Sequence, residues 1–191
     1  LTATARRHPS PQATQLLLAI TRREDARQDD CIPLMTWWAM EPQLVSELTG
    51  ITDHYCKASA WEGAFSRDIG LKVIRRLAAS GSTKELDAIA AVLKAIPDPH
   101  QTAAMHSLNL GLSERGSLLR GIGQGTLFTD FAEQNHDLAA PRPVLKDKEV
   151  QPSSRILSDY LLAELSKPDV PLIFLKTAMT LNVQQATSIL E

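Results

Sequence analysis

The stretch Ser82-Thr83-Lys84-Glu85-Leu86-Asp87-Ala88-Ile89-Ala90-Ala91-Val92-Leu93-Lys94-Ala95-Ile96 decides the fold class. A serine followed three residues later by a glutamate has the form of a capping box, in which each side chain satisfies a backbone N–H that the first helical turn leaves unpaired. Leu86, Ile89, Leu93 and Ile96 then follow at spacings of three, four and three, the repeat of one face of an α-helix. Asp98, Pro99 and Gln101 open a second helix in the same style, with Met105, Leu108 and Leu112 as its stripe. On the other side, Ser66 to Ala79 place Ile69, Val73 and Leu77 on one row and Leu71, Ile74 and Ala78 on an adjoining one, and Gly81 is a natural stop. Three helices in a row joined by such short turns are expected to be antiparallel neighbours.

The helical period recurs outward from this centre, and no stretch alternates with a period of two for more than a few residues. Pro11 to Arg23 reads as a helix with a stripe of Leu16, Leu17, Ala19 and Ile20, ended by a charged turn from Glu24 to Asp30. Pro33 suits the first turn of the next helix, which carries Met35, Trp37, Trp38 and Met40. Pro42 disfavours helical geometry at Glu41, so the segment to Leu48 is a kinked continuation or a new short helix, expected to end at Gly50. Thr52 to Phe65 and Gly116 to Asp137 read as short helices or loop. Order should drop where five of the nine glycines fall between Gly111 and Gly125 and three prolines between Ala139 and Pro152. Ile156, Leu157, Tyr160, Leu161 and Leu165 build another helix; Pro171, Phe174, Ala178 and Leu181 build the next after a Lys167-Pro168-Asp169 turn, and a last one is expected from Asn182. The expected organisation is a helical-repeat domain over 1–136, a linker or long loop over 137–152 and a further hairpin on the same stack over 153–191. The fold class is all-α, with antiparallel hairpins stacked as a HEAT- or armadillo-like superhelix.

Composition narrows the function. With 20 Lys+Arg against 22 Asp+Glu the formal charge is −2, so binding to nucleic acid has no electrostatic support. No apolar run approaches the ~18 residues of a membrane span, and the chain reads as a soluble domain. It begins at Leu1 with no leader pattern, so any export signal is expected outside it, and it reads as a piece of something longer. Cys31 and Cys56 could form one disulfide, which their separation neither demands nor forbids. Cys56 is followed by Lys57, Ala58 and Ser59, so there is no Cys-x-x-Cys-His haem attachment motif.

No motif points to catalysis, to a cofactor or to a metal. Gly121-Ile122-Gly123-Gln124-Gly125-Thr126 lacks the Lys-Ser/Thr ending of a P-loop and follows no expected strand, so it reads as loop. His100 and His106 stand six residues apart, about 240° out of phase on a helix, where a metal pair needs a shared face. Trp37 and Trp38 point about 100° apart, so one must face a second neighbour or solvent. Packing between two helices is the favoured reading, and an exposed aromatic anchor for a partner is the other. Arg67, Lys72, Arg75 and Arg76 form a basic face that could dock an acidic partner, although Arg75 and Arg76 also complement a helix C-terminus. These six residues are the candidate interaction surface.

The segment Asp30-Cys31-Ile32-Pro33-Leu34-Met35-Thr36-Trp37-Trp38-Ala39-Met40-Glu41 resembles the Ile-Pro-Leu-Leu-x-Trp-Trp-Ala-x-Glu segment of the PVC-type haem-binding, membrane-bound dehydrogenase proteins of planctomycetes and their relatives. Ile74-Arg75-Arg76-Leu77-Ala78-Ala79-Ser80-Gly81 is similar to the same family's arginine-rich helix closing on glycine, and the likeness covers Gln12 to Gly116. In that family a β-propeller is followed by a helical, HEAT-like region and then a c-type cytochrome domain, and this chain resembles the middle region alone. The resemblance implies an exported parent, possessing the redox chemistry elsewhere, and a non-catalytic helical segment serving as scaffold, spacer or interaction module. Its partners would be other domains of the same polypeptide or another protein. The alternative is a small helical ligand-binding domain or enzyme with a pocket near Trp37, Trp38, His54 and Trp61.

Overall fold

The structure is a computed structural model that describes residues 2–123, 154–167 and 169–181. All regular structure among these residues is helical. In chain order the α-helices are α1 (Thr2–Arg7), α2 (Pro11–Thr21), α3 (Glu24–Arg27), α4 (Ile32–Ser46), α5 (Leu48–Tyr55), α6 (Ala64–Ser80), α7 (Thr83–Ala95), α8 (Asp98–Gly123), α9 (Arg155–Leu165) and α10 (Leu172–Thr180), with a 3-10 turn at Ala58–Trp61.

The centre of the chain forms as its sequence dictates. Ser82 Oγ accepts from the Glu85 N–H and Glu85 Oε2 from the Ser82 N–H at 3.1 Å, completing the capping box of α7. Leu86, Ile89, Leu93 and Ile96 are all buried, as are Met105, Leu108 and Leu112 of α8. Gly81 ends α6 at φ +66°, a conformation that costs a side-chain-bearing residue more than glycine, and its N–H reaches the Leu77 carbonyl at 2.8 Å. The Arg115 guanidinium then donates to the carbonyls of Ser80 and Gly81 from the facing helix.

Both alternate and adjacent helices pack on one another. α1 and α2 lie on α4, α4 on α6, α6 on α8 and α5 on α7; α6 and α7 pair with each other, as do α9 and α10, and these last two lie on α7 and α8 respectively. The most extensive contact is α6 on α8, helices separated in sequence by the whole of α7. Polar ties join two of these pairs: Ser154, the N-cap of α9, donates to Asp87 Oδ1 of α7 at 2.6 Å, and the Asn109 side-chain amide of α8 reaches Thr180 of α10. The hydrophobic core runs continuously from Ala5 and Leu17 through Met40, Ile51, Trp61, Ile74 and Leu93 to Leu161 and Phe174. Each such aliphatic side chain taken out of water contributes about 1.5–3 kcal/mol before the entropy of ordering it.

Several expectations are corrected. α1 lies ahead of the first expected helix. The expected charged turn contains α3, whose Glu24 and Asp25 sit in its first turn, where the helix dipole favours acids. The buried face of α2 is Thr14, Leu17, Leu18 and Thr21; of the expected stripe of Leu16, Leu17, Ala19 and Ile20, Leu17 is buried and Ile20 packs half-buried against the core, while Ala19 is exposed. Two threonines can face inward because Thr14 Oγ1 donates to Gln43 and Thr21 Oγ1 to the Leu18 carbonyl, so their hydroxyls are not stranded. Of the two readings at Pro42 the continuation holds, since α4 runs through it as one helix, whereas Gly50, expected as a stop, lies inside α5. α8 runs to Gly123, into the glycine-rich stretch where order was expected to drop. Residues 124–126 of the glycine-rich motif, the expected linker over 137–152 and the expected helix from Asn182 lie outside the described residues.

Candidate functional site

α4 is apolar nearly all round, and only part of its circumference is covered. Thr36, Ala39, Met40, Gln43 and Leu44 face inward. Leu34, Met35, Trp38 and Val45 remain 46%, 40%, 48% and 87% exposed, and Leu34, Trp38 and Val45 fall on one stripe at spacings of four and seven. Pro42 stands one turn after Trp38 and has no N–H to give, so the Trp38 carbonyl lacks the usual donor four residues on.

The orientation of this stripe is set from inside by Gln43. Its side chain is fully buried; Oε1 accepts from the Ser10 N–H at 3.0 Å and the Thr14 hydroxyl at 3.2 Å, and Nε2 donates to the Ala5 carbonyl at 2.9 Å. One amide thus ties α1 and the N-terminus of α2 to α4. With Ala5 buried against the core, α1 presents Arg6 and Arg7 beside Met35 and Trp38, and these four with Thr2 and Ala3 line a groove of about 450 Å³.

The tryptophans separate. Trp38 faces out, Trp37 packs half-buried against the core, and Trp61 is fully buried. Packing, the favoured reading for both members of the pair, therefore applies to Trp37 and not to Trp38. The Trp61 indole N–H donates to the Tyr55 carbonyl at 2.9 Å, the Tyr55 hydroxyl donates to the Ser66 carbonyl at 3.1 Å, and the two rings stand 5.6 Å apart. Gly70 leaves room for both, because a Cβ there would lie 2.7 Å from the Tyr55 ring and 3.1 Å from Trp61. Burial pushes the Tyr55 hydroxyl pKa well up. His54 stands edge-on to Tyr55 at 4.9 Å, and burial, with Arg22 and Lys57 nearby, lowers its pKa below the ordinary histidine value. The alternative pocket expected from Trp37, Trp38, His54 and Trp61 is thus divided between a surface stripe and the core, and Trp61 does not line the groove.

Two of the four residues of the expected basic face, Arg75 and Arg76, are matched within the molecule. Arg75 pairs with Glu114 of α8, and Arg76 Nε with Glu41 of α4 at 2.9 Å, so both guanidinium groups join α6 to a second neighbour. Arg67 is half-buried on α6. Lys72 is exposed at a shallower groove of about 390 Å³, where Arg27 Nε meets Asp68 Oδ2 at 3.0 Å. Such exposed pairs contribute roughly 0–1 kcal/mol each and act as registers more than as braces. Cys31 and Cys56 are both free thiols, and burial followed by the charge of Asp53 raises the Cys56 pKa. Among the described residues no cluster of three His, Cys, Asp or Glu side chains could hold a metal ion, and no helix is long and apolar enough to cross a membrane.

The chain matches no model of a protein family, no curated protein and no solved structure.

Sequence reasoning missed Arg6, Arg7 and Gln43. The signal for α1 was slight, since only Ala5 of its six residues is buried, although Pro9 just beyond marks where a helix would stop. Gln43 was the better clue: a long polar side chain between Met40 and Leu44 on an otherwise apolar helix needs buried partners.

Proposed function

We propose that this chain is a non-catalytic helical-repeat segment, stacked in the HEAT or armadillo manner, which spaces or docks the redox domains of a larger exported dehydrogenase and cytochrome c protein. The observation that supports the scaffold reading is the packing of alternate helices, α4 on α6 on α8 and α5 on α7. Stacked hairpins would produce such contacts, because each hairpin buries its apolar faces against the next. The exposed apolar stripe of α4 adds a surface suited to a neighbouring domain or protein. The dehydrogenase context and export rest on the resemblance of the segment from Asp30 to Glu41.

Sequencing the parent reading frame on both sides tests the context, with a propeller upstream and a Cys-x-x-Cys-His downstream as the expected result. A frame with neither removes the dehydrogenase assignment. The non-catalytic reading is tested separately on the purified 191 residues, for which neither turnover in a metabolite screen nor tight haem binding is expected. Either activity would overturn it.

A further inference from the structure

We propose that the groove between α1 and the outer face of α4 binds an acidic amphipathic helix from a protein partner, seating apolar side chains on Met35 and Trp38 and carboxylates on Arg6 and Arg7. The proposal rests on the interaction-module reading and names the chemistry of the partner and the place where it docks.

Three observations converge on this occupant. The first is shape: Leu34, Trp38 and Val45 make an exposed apolar stripe spanning about 16 Å at 1.5 Å per residue, three turns of helix, which a second helix of similar length can cover along its own stripe. The second is charge. Arg6 and Arg7 are exposed side by side at the rim of the groove and, among the described residues, meet no carboxylate. No acidic side chain lines the groove, so its uncompensated charge is positive and a partner with carboxylates is selected over a basic one.

The third is preorganisation. Gln43 holds the Ala5 carbonyl, and Ala5 is buried, so the residues on either side of the apolar floor are in position before anything binds. Trp38 is the large anchor at the centre, and an aromatic flanked by arginines is the composition of an interface whose binding energy is concentrated in a few residues.

The test uses the whole chain and a synthetic 18-residue helical peptide with Leu at every third and fourth position and Glu on the flanks of that stripe. A second peptide carries Lys in place of each Glu. Titration is followed by the indole emission and by calorimetry, with circular dichroism confirming that the variants Arg6→Glu/Arg7→Glu, Trp38→Ala and Lys176→Glu remain folded. The expected result is saturable binding of the acidic peptide with a blue-shifted emission. Affinity should fall tenfold or more in Arg6→Glu/Arg7→Glu and in Trp38→Ala, weaken with added salt, and stay unchanged in Lys176→Glu, an exposed lysine of α10. Equal binding of the Lys peptide, indifference to the double charge reversal, or no binding at all overturns the proposal. A blue shift on phosphatidylglycerol vesicles without peptide binding also overturns it and assigns the face to an anionic membrane surface. Failure here leaves the interaction-module reading standing if a flanking domain of the parent binds the chain with unchanged affinity in Trp38→Ala. Both fail together if neither ligand nor flanking domain binds.

Discussion

The backbone of α6 passes so close to Gly111 of α8 that a Cβ at Gly111 would stand 2.2 Å from the carbonyl oxygen of Arg75 and 2.7 Å from the Ala78 Cβ. A backbone oxygen cannot swing aside as a side-chain tip can, so the close approach of α6 and α8 here depends on a missing methyl group. Arg75 reinforces the same crossing through its pair with Glu114, one turn further along α8.

Gly111→Ala is therefore expected to destabilise by about 2 kcal/mol or more, because overpacking outweighs the roughly 1 kcal/mol by which alanine is the better helix former. Gly50→Ala is the control, with nothing within 4 Å of its Cβ position in α5, and should stabilise by about 0.5–1 kcal/mol. Urea unfolding midpoints give both signs. A Gly111→Ala protein as stable as the parent would show that α6 and α8 can separate without cost.

Removing the Gln43 side-chain amide strands the Ala5 carbonyl, the Ser10 N–H and the Thr14 hydroxyl at once. Gln43→Leu should cost about 2–4 kcal/mol, even though leucine is apolar and close in size, since a buried group left without a partner keeps its desolvation penalty. Amide hydrogen exchange should show faster exchange in α1 and the first turn of α2 than in α7. Uniform loss of protection would mean that Gln43 stabilises the core generally and does not hold α1.

His54 makes stability pH-dependent. Its pKa in the folded chain is lowered, so above pH about 6.5 both folded and unfolded chains carry it neutral and it imposes no penalty. As the pH falls below that value, the unfolded chain takes up a proton that the folded chain refuses, and stability declines until the lowered folded value is passed. Nε2 is buried with no hydrogen-bond partner, so the imidazolium would have nothing to donate to on that side. Urea midpoints at pH 7.5, 6 and 5 should fall with pH, and the fall should be shallower in His54→Gln. Parallel curves for the two proteins would exclude His54 as the cause.

Acrylamide quenching should resolve the three indoles. Trp38 is expected to be quenched freely, Trp37 weakly and Trp61 hardly at all, following their exposure. Trp38→Phe should remove most of the accessible emission with little change in stability. Persistence of that emission in the variant would place Trp37 at the surface instead.

What could be read along the chain was whatever one helix decides for itself. The capping box at Ser82 and Glu85, the glycine stop at Gly81 and the stripe from Leu86 to Ile96 depend on residues a few positions apart, and each stands as its spacing predicts. Stripe reading failed at α2, where Thr14 and Thr21 turn inward: a threonine counts as polar until one knows whether a partner such as Gln43 awaits it. It failed again at Trp37 and Trp38, since adjacent residues carry no mark of which one will find a neighbour. Arg75 and Arg76 of α6 are exposed, but their glutamates come from α8 and α4 and carry no mark in the local sequence.

The sequence by itself thus determined that the chain is helical and where several of its helices begin, because caps and periodicity act within about four residues of backbone. Only the tertiary structure decided which face of each helix turns inward and which residues meet. Gln43 reaches Ala5 across 38 residues and Arg75 reaches Glu114 across 39, and such contacts form only when packing the whole chain repays the entropy of bringing distant segments together.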